Sequence, residues 1–198
     1  LDAPPDMAAE LLARRLPMIG IWAASRLRAR AMPASGQGIV PLRDADAFRT
    51  LRRDQLFAGY FAVERLELTH ALHQGGHSGP MMREAFLMGD AAALLPWDPV
   101  RDRVLVIEQF RLAPALRGDP QPWLLEPIAG RVDAGETPEA AILREAREEA
   151  DLTVERLIPA FNAYPSPGAV CEFLYQYVGI ADLPDGRAFY QTQIREYV

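Results

Sequence analysis

The sequence has 198 residues, of which 49% are hydrophobic, and a formal net charge of −6. That length and composition suit one domain with a sizeable hydrophobic core and exclude a chain that is disordered throughout. The acidic balance argues against a general nucleic-acid binder. All 21 basic residues are arginine, and the acidic excess lies in residues 59–198, where twelve arginines face twenty-one acidic residues. This acidic part is where we expect a divalent cation to be drawn.

Cysteine usage and hydropathy indicate a cytoplasmic protein without a membrane partner. The single cysteine, Cys171, cannot form an internal disulfide and suits a reducing compartment. The longest apolar run near the start, residues 16–24, is nine residues long and contains a proline and a glycine, so it is too short to span a bilayer. Because the first residue is leucine, we expect the sequence to be a piece of a longer protein.

The first part of the chain, residues 1–56, is predicted to be a helical arm followed by a linker. Residues 6–32 have the pattern of an arginine-studded amphipathic helix or helix pair interrupted at Pro17, and the stretch PASGQG at residues 33–38 is typical of a linker. We expect the arm to pack on the main body or on a partner chain.

A second domain is predicted from residue 57 to residue 198, and strands dominate its pattern. GYFAVERLELTHAL alternates like a strand, and a turn HQGGHSG separates it from the extended MMREAFLMG, which predicts a hairpin over residues 57–89. Two more strands flank the turn WDPVRD, and a short strand is predicted at Trp123–Ile128. A helix at about Pro138–Ala150 and strands near Leu157–Tyr164 and at FLYQYVGIA complete this mixed pattern.

Three histidines, His70, His73 and His77, lie close together in the predicted hairpin. Imidazole is a common zinc ligand, so this spacing raises the question of a zinc site. No cysteine lies nearby and the spacing fits no known zinc pattern well, so we favour structural positions in a strand and a turn.

The stretch GRVDAGETPEAAILREAREEADL, residues 130–152, holds the most informative charge pattern. Thr137 and Pro138 form a good helix start. Apolar residues recur at three- and four-residue spacing, while Glu145, Glu148 and Glu149 share the remaining surface, where like charges one turn apart destabilise a helix. A hard cation such as Mg²⁺ would turn that repulsion into affinity. The alternative is a solvated face on which glutamates pair with arginines.

The spacing of Gly130, Glu136, Arg144-Glu145, Glu148-Glu149 and Leu152 resembles the Nudix box, the signature of the Nudix hydrolase family. Two positions depart from the family pattern: Ala146 replaces a large aliphatic residue and Asp151 replaces a glycine. Neither is a metal-ligand position. The resemblance implies an α+β fold, an α/β/α sandwich in which a mixed β-sheet carries a metal-binding loop and helix, here preceded by the helical arm.

The same resemblance implies the roles of the site residues and a Mg²⁺ cofactor, with Mn²⁺ as the alternative metal. The implied catalytic residues are Arg144, Glu145, Glu148 and Glu149. Glu145 and Glu149 would be metal ligands, and Glu148 a further ligand or a carboxylate that organises water. The carbonyl of Ala129 would be a backbone ligand. Arg144 would orient the glutamates, with Glu136 as an outer carboxylate.

Several segments outside the box are similar to the ADP-ribose pyrophosphatase branch of the family. These are YPSPG followed by Glu172, EQFR after the strand RVLVI, LEPIAGRVDAGE, and MREAF. The branch implies hydrolysis of ADP-ribose to AMP and ribose 5-phosphate. By resemblance, Arg83 and Arg111 would bind substrate phosphate or ribose, Glu172 the terminal ribose or a water network, and Tyr60 or Phe61 the adenine. It also implies a homodimer whose amino-terminal sheets, at residues 57–89, are exchanged between subunits.

The end of the sequence leaves the general base unassigned. The branch normally continues, after the strand FLYQYVGIADL, with an acidic loop whose glutamate ligates metal or activates water, whereas this sequence ends in RAFYQTQIREYV. We therefore expect the C-terminal part of the domain to be incomplete, and we do not assign the role to Glu196. Two alternatives stay open: hydrolysis of another nucleoside diphosphate sugar or a dinucleotide, and a Nudix module that binds ADP-ribose without cleaving it.

Overall fold

The structure, a computed structural model, describes residues 7–32 and 43–183. The predicted linker and the predicted C-terminal shortfall, including Glu196, lie outside these residues. The helices and strands in chain order are α1 (Ala9–Ala31), β1 (Phe48–Ala58), β2 (Ala62–His70), β3 (Met81–Leu87), β4 (Ala91–Asp98), β5 (Arg103–Val104), β6 (Ile107–Phe110), α2 (Leu112–Arg117), β7 (Trp123–Glu126), β8 (Ile128–Arg131), α3 (Pro138–Ala150), β9 (Arg156–Ala163), β10 (Val170–Cys171) and β11 (Leu174–Ile180). None of the helices in these two ranges is long and apolar enough to cross a bilayer.

The chain divides into two compact units. The first comprises Leu1–Gly89 and Tyr164–Glu172, and the second comprises Asp90–Ala163 and Phe173–Val198. The described residues of the predicted arm and linker, 7–32 and 43–56, belong to the first unit, and the predicted Nudix box belongs to the second. The predicted division of the chain after residue 56 stays a prediction.

Helix α1 runs without a break through Pro17, so the expected interruption at that proline is wrong. Proline removes one backbone hydrogen bond from a helix interior and usually kinks or ends the helix. Here one buried face extends on both sides of Pro17 and holds the two halves together. Its buried residues are Arg15, Met18, Ile19, Ile21 and Trp22. The apolar members pack with Ala62 of β2 and Leu87 of β3.

A four-stranded sheet in the order β1-β2-β3-β10 forms the rest of the first unit. The antiparallel pairing of β2 with β3 confirms the predicted hairpin. Strand β1 was not predicted, because residues up to 56 were assigned to the arm and linker. Its side chains are exposed along almost its whole length, so it lacks the alternation that marks a half-buried strand. Antiparallel pairing with β2, from Phe48 opposite His70 to Ala58 opposite Ala62, makes it a strand.

The three histidines occupy strand and turn positions, as predicted. His70 ends β2, and His77 forms an isolated bridge with Ala71. The rings of His70 and His77 contact the backbone carbonyls of Ala71 and Asp46 at 3.0 Å and 3.1 Å. The ring of His77 thus contacts backbone that precedes β1, and the ring of His73 contacts the Arg43 guanidinium at 3.1 Å.

A five-stranded mixed sheet with α3 against it forms the second unit. The strand order is β5-β4-β11-β9, and β8 also pairs with β4. The β4–β11 pair is parallel, whereas β9, β8 and β5 pair antiparallel with their neighbours. The fully buried core of this unit includes Leu94, Ile107, Ile128 and Ile142. Mixed strands with helices confirm the predicted α+β class.

Two details of the second unit differ from the predicted elements. The predicted strand RVLVI is split: β5 covers Arg103–Val104, and residues 107–110 form β6, which pairs antiparallel with β7 as a separate two-stranded sheet. EQF therefore follows β5 and lies within β6. The short helix α2 between these strands was not predicted. It has no buried residue, so it lacks the apolar stripe from which a helix is recognised.

Candidate active site

Helix α3 begins and ends where the sequence predicts, and local contacts explain both ends. The Thr137 hydroxyl accepts a hydrogen bond of 3.1 Å from the Ala140 N–H, and Pro138 follows as the first helical residue. After the helix, Asp151 adopts φ 45° and ψ 40°. This is the left-handed conformation that glycine adopts most easily and that aspartate tolerates. Asp151 thus keeps the helix exit of the Nudix box although it replaces the glycine.

The apolar face of α3 fixes which residues point away from the core. Ala141, Ile142 and Ala146 are fully buried in the core of the second unit. At the start of the helix, the Tyr177 hydroxyl of β11 donates a 2.9 Å hydrogen bond to Glu139. The remaining surface of α3 carries the charged residues. Ala146, which replaces the large aliphatic residue of the family pattern, packs at this buried face.

Arg144 lies among three of the box glutamates. Its Nε and Nη2 donate to the two carboxylate oxygens of Glu136 at 3.0 Å and 3.1 Å. Its Nη1 donates to Glu145 at 2.6 Å and to Glu148 at 3.2 Å, and Nη2 also reaches the carbonyl of Arg131 at 3.2 Å. The hydrogen bonds that Arg144 donates to Glu136 lower the pKa of Glu136. The same hydrogen bonds, followed by the one to Glu145, hold the pKa of Arg144 well above its usual range. The arginine stays charged and orients the carboxylates around it.

Gly130 of β8 makes room for the Glu145 carboxylate. A Cβ atom added at Gly130 would lie 2.1 Å from both Cδ and Oε1 of Glu145. No side chain fits there while Glu145 keeps its position. Glycine at position 130 therefore leaves space for a carboxylate.

Glu149 is a half-buried glutamate of the box with a shifted pKa. Burial raises the pKa of Glu149 to about 7, and the nearby charge of Glu145 adds to the increase. Hydrogen bonds from the Ala129 N–H to Oε2, at 3.3 Å, and from the Gln109 amide to Oε1, at 3.2 Å, oppose it. The structure therefore places Ala129, the predicted backbone ligand, directly beside Glu149.

Arg111 lies beside this cluster and is held by Glu126. Its Nε and Nη2 donate to Oε2 of Glu126 at 2.9 Å and 2.5 Å. Arg111 directly follows β6, two residues after the Gln109 that bonds Glu149, and its positive charge opposes the rise in the pKa of Glu149. The structure thus brings this predicted phosphate-binding arginine to the box glutamates.

Gln109 and Glu126 were not singled out from the sequence, although each leaves a weak signal there. Gln109 is a polar residue at an inward position of β6, where alternation calls for an apolar one. Glu126 ends the otherwise apolar strand β7. Neither signal identifies a partner, because the partners lie 40 and 15 residues away in the sequence.

The other predicted substrate residues belong to the first unit. Arg83 is exposed on β3 and donates to the carbonyl of Met82 at 2.8 Å. Tyr60 is 39% exposed and packs edge-on against Phe61 with ring centroids 4.6 Å apart. Phe61 also contacts the ring of Phe86. Glu172 is half-buried next to β10. Their roles in binding substrate stay predictions.

The site residues fit a hard divalent cation by their chemistry. In residues 7–32 and 43–183, no three histidine, cysteine, aspartate or glutamate side chains are already arranged around a metal position. Arg144 engages two of the candidate carboxylates, those of Glu145 and Glu148. Carboxylate oxygens are nevertheless the ligands that Mg²⁺ and Mn²⁺ prefer. The mutual repulsion of Glu145 and Glu149 suits a bound cation.

Comparisons with known proteins identify the family. Residues 88–189, more than half of the chain, match the NUDIX domain. An ADP-ribose pyrophosphatase of Haemophilus influenzae is 38% identical over 134 residues, which cover 67% of this chain and 62% of that protein. An ADP-ribose pyrophosphatase of Escherichia coli is 42% identical over 132 residues, which cover 67% and 63%. The matches therefore span less than two thirds of these relatives.

Two further comparisons bear on substrate and fold. A GDP-mannose pyrophosphatase of Yersinia pestis is 39% identical over 100 residues, half of each protein. A crystal structure of an ADP compounds hydrolase superposes with a TM-score of 0.55 at 17% identity and covers 74% of each chain. That structural similarity supports the fold alone.

Proposed function

This chain belongs to the Nudix family, and we propose that it is a hydrolase dependent on a divalent metal that cleaves the pyrophosphate bond of ADP-ribose to give AMP and ribose 5-phosphate. The observation that carries the hydrolase activity is the cluster around Arg144 of α3, which bonds Glu136, Glu145 and Glu148. Glu149 lies on the same helix against β8.

We assign the metal to Glu145, Glu148 and Glu149, with the carbonyl of Ala129 as a backbone ligand. We expect Mg²⁺ in this role, with Mn²⁺ able to replace it. A bound divalent cation supplies charge screening of the pyrophosphate, a more acidic attacking water and stabilisation of the leaving phosphate. Arg144 orients Glu145 and Glu148 through its hydrogen bonds, which is a task of supporting residues around metal ligands.

Arg111 is the residue of the second unit that we assign to a substrate phosphate. A guanidinium group makes bidentate contacts to phosphate and stays charged at any working pH. Glu126 holds Arg111 by its Nε and Nη2 groups, and the guanidinium remains 40% exposed. Substrate would therefore meet an arginine whose orientation is already restricted.

The choice of ADP-ribose rests on the relatives, two of which are named ADP-ribose pyrophosphatase and share 38% and 42% identity with this chain. We extend the assignment to three residues of the first unit: Arg83 for phosphate or ribose, Glu172 for the terminal ribose or a water network, and Tyr60 for the adenine. A second candidate is another nucleoside diphosphate sugar, since a GDP-mannose pyrophosphatase matches half of this chain at 39% identity.

The test is AMP release from ADP-ribose with Mg²⁺ by the full chain, beside Glu149→Gln and the matched control Glu155→Gln. Glu155 is an exposed glutamate outside the cluster. Losing a metal ligand removes several kcal/mol of transition-state stabilisation, so we expect kcat/KM to fall about a thousandfold in Glu149→Gln. The control should keep the wild-type rate.

Three outcomes would change the proposal. Faster cleavage of GDP-mannose or NADH than of ADP-ribose would favour the second candidate or a dinucleotide substrate. Tight binding of ADP-ribose without AMP release, equal in wild type and Glu149→Gln, would indicate a binding module. No binding of any of these nucleotides would contradict the assignment of this chain to nucleoside diphosphate substrates.

We also propose a homodimer with an exchanged amino-terminal sheet, working in the cytoplasm. Strand β1 is at the edge of its sheet and exposes Phe48, Leu51, Leu56 and Phe57, each at least 45% accessible. An exposed apolar edge strand favours pairing with another chain. Light scattering during size-exclusion chromatography should give twice the chain mass, and the double variant Leu56→Lys with Phe57→Lys should shift the measured mass toward the monomer.

The proposal of a cytoplasmic protein is supported by the exposed Cys171, because a free thiol suits a reducing compartment.

A further inference from the structure

We propose that Gln109 is a positioning residue that holds the Glu149 carboxylate in the orientation needed to bind the metal. The inference rests on the proposed function, because it takes Glu149 as a metal ligand. It concerns a residue of strand β6, outside the Nudix box, and the hydrogen bond that this residue donates.

The burial of Gln109 is unusual for its residue type. Gln109 is 4% exposed. Along β6, the buried residues Ile107 and Gln109 alternate with the exposed residues Glu108 and Phe110. A leucine of similar size would gain from burial at such a position, whereas a buried amide costs free energy unless it is hydrogen-bonded. A glutamine at an inward position of a short strand therefore requires a partner.

That partner is the Glu149 carboxylate. The Gln109 Nε2 donates to Oε1 at 3.2 Å, and the Ala129 N–H donates to Oε2 at 3.3 Å. The two donors come from β6 and β8, and neither belongs to α3. The strands therefore fix the orientation of a carboxylate that the helix carries.

The need for two donors follows from the flexibility of the glutamate side chain. The terminal torsion of glutamate has a broad, roughly two-fold preference, so one hydrogen bond leaves the carboxylate plane free to turn. Donors on both oxygens restrict that rotation. A carboxylate has about four lone-pair positions, and these two donors use one on each oxygen.

The test compares Gln109→Leu, which keeps the size and removes the donor, with Gln109→Asn, which keeps the amide and shortens its reach by one methylene. Gln121→Leu is the matched control, because Gln121 is an exposed glutamine just before β7. The readouts are the Mg²⁺ dissociation constant from titration calorimetry, the melting temperature with Mg²⁺ and with EDTA, and kcat and KM for ADP-ribose. All use the full chain.

We expect both Gln109 variants to bind Mg²⁺ about tenfold or more weakly, as is typical when a supporting partner of a metal ligand is lost. The rise in melting temperature caused by Mg²⁺ should shrink accordingly. In EDTA, Gln109→Leu should melt close to the wild type, because an apolar side chain suits the buried position. The control should match the wild type in every readout.

Wild-type Mg²⁺ affinity in Gln109→Leu would overturn the inference, and so would full affinity in Gln109→Asn, since its amide falls short of Oε1. If Gln109→Leu does not fold, Gln109→Asn alone decides between these results. Another result would separate the two proposals: the Gln109 variants bind Mg²⁺ more weakly than the wild type, but the wild type releases no AMP. That result would refute the proposed substrate and support the positioning role. Failure of the wild type to bind Mg²⁺ would overturn both.

Discussion

Helices α1 and α3 both carry arginines and bury one apolar face, yet they are specified in different ways. Helix α3 has a Thr137 cap, a proline at its first residue and a left-handed exit at Asp151. Helix α1 has no side-chain cap and contains Pro17 in its interior. Local contacts therefore explain α3, while α1 depends on the packing of its own buried residues, above all Trp22, against β2 and β3.

This difference bears on where function is placed. The sequence of α3 itself determines where the helix begins and ends and which face is apolar. The charged side chains occupy its remaining surface. The site can therefore tolerate carboxylates that repel one another, because the helix does not depend on them. In α1 the equivalent stability comes from the buried cluster with β2 and β3, and changes there should act on folding and not on chemistry.

The largest stability effect should come from Trp22→Ala. Trp22 is 2% exposed in the cluster of the first unit, and truncating a buried tryptophan costs about 3–5 kcal/mol. Trp22→Phe should cost less, since it keeps much of the ring contact. It also removes a buried Nε1 that has no hydrogen-bond partner among the described residues. Urea unfolding followed by circular dichroism measures both. An unchanged midpoint in Trp22→Ala would mean that packing does not hold α1.

Gly130→Ala should separate chemistry from stability in the second unit. The new Cβ would overlap the Glu145 carboxylate at 2.1 Å, and the flexible end of that side chain can move aside at little cost to folding. We expect a loss of kcat/KM within about 10- to 100-fold, the range for a disturbed metal site, with a nearly unchanged melting temperature. Gly79→Ala is the control, since nothing lies within 4 Å of its Cβ position. Full activity in Gly130→Ala would show that Glu145 need not occupy this space.

Gly89→Ala should destabilise the first unit by about 1–3 kcal/mol, the range for a non-glycine residue held in an unfavourable backbone conformation. Gly89 has φ +90°, and its Cβ position lies 2.7 Å from Cγ2 of Ile21 in α1. Gly75→Ala isolates the backbone part, because Gly75 has φ +87° with nothing within 4 Å. Thermal and urea unfolding of the two variants give the difference. Equal losses would indicate that the contact with α1 contributes nothing.

The smallest effect should come from Thr137→Ala, which removes the cap of α3. Loss of a side-chain cap costs about 1 kcal/mol. The hydroxyl of Thr137→Ser retains the acceptor for the Ala140 N–H, so this variant should unfold like the wild type. A cost of several kcal/mol for Thr137→Ala would mean that the helix start depends on more than its cap. In that case α3 would resemble α1 more than the contrast above allows.

The predictions from sequence were most successful where the determining contacts are local. The bounds of α3, its cap and the grouping of Arg144 with Glu145 and Glu148 follow from spacing along one helix, so the pattern contains them. Strand β1 shows the opposite case. Its exposed side chains carry no alternation, and only pairing with β2 makes it extended.

For the candidate site, spacing was enough to single out the glutamates but not what surrounds them. The contacts of Gln109 with Glu149 and of Arg111 with Glu126 join distant segments through β6 and β7. The clash that requires glycine at position 130 likewise exists only once β8 lies against α3. Such contacts depend on how strands and helix pack, and a periodic pattern records only which side of its own element a residue faces.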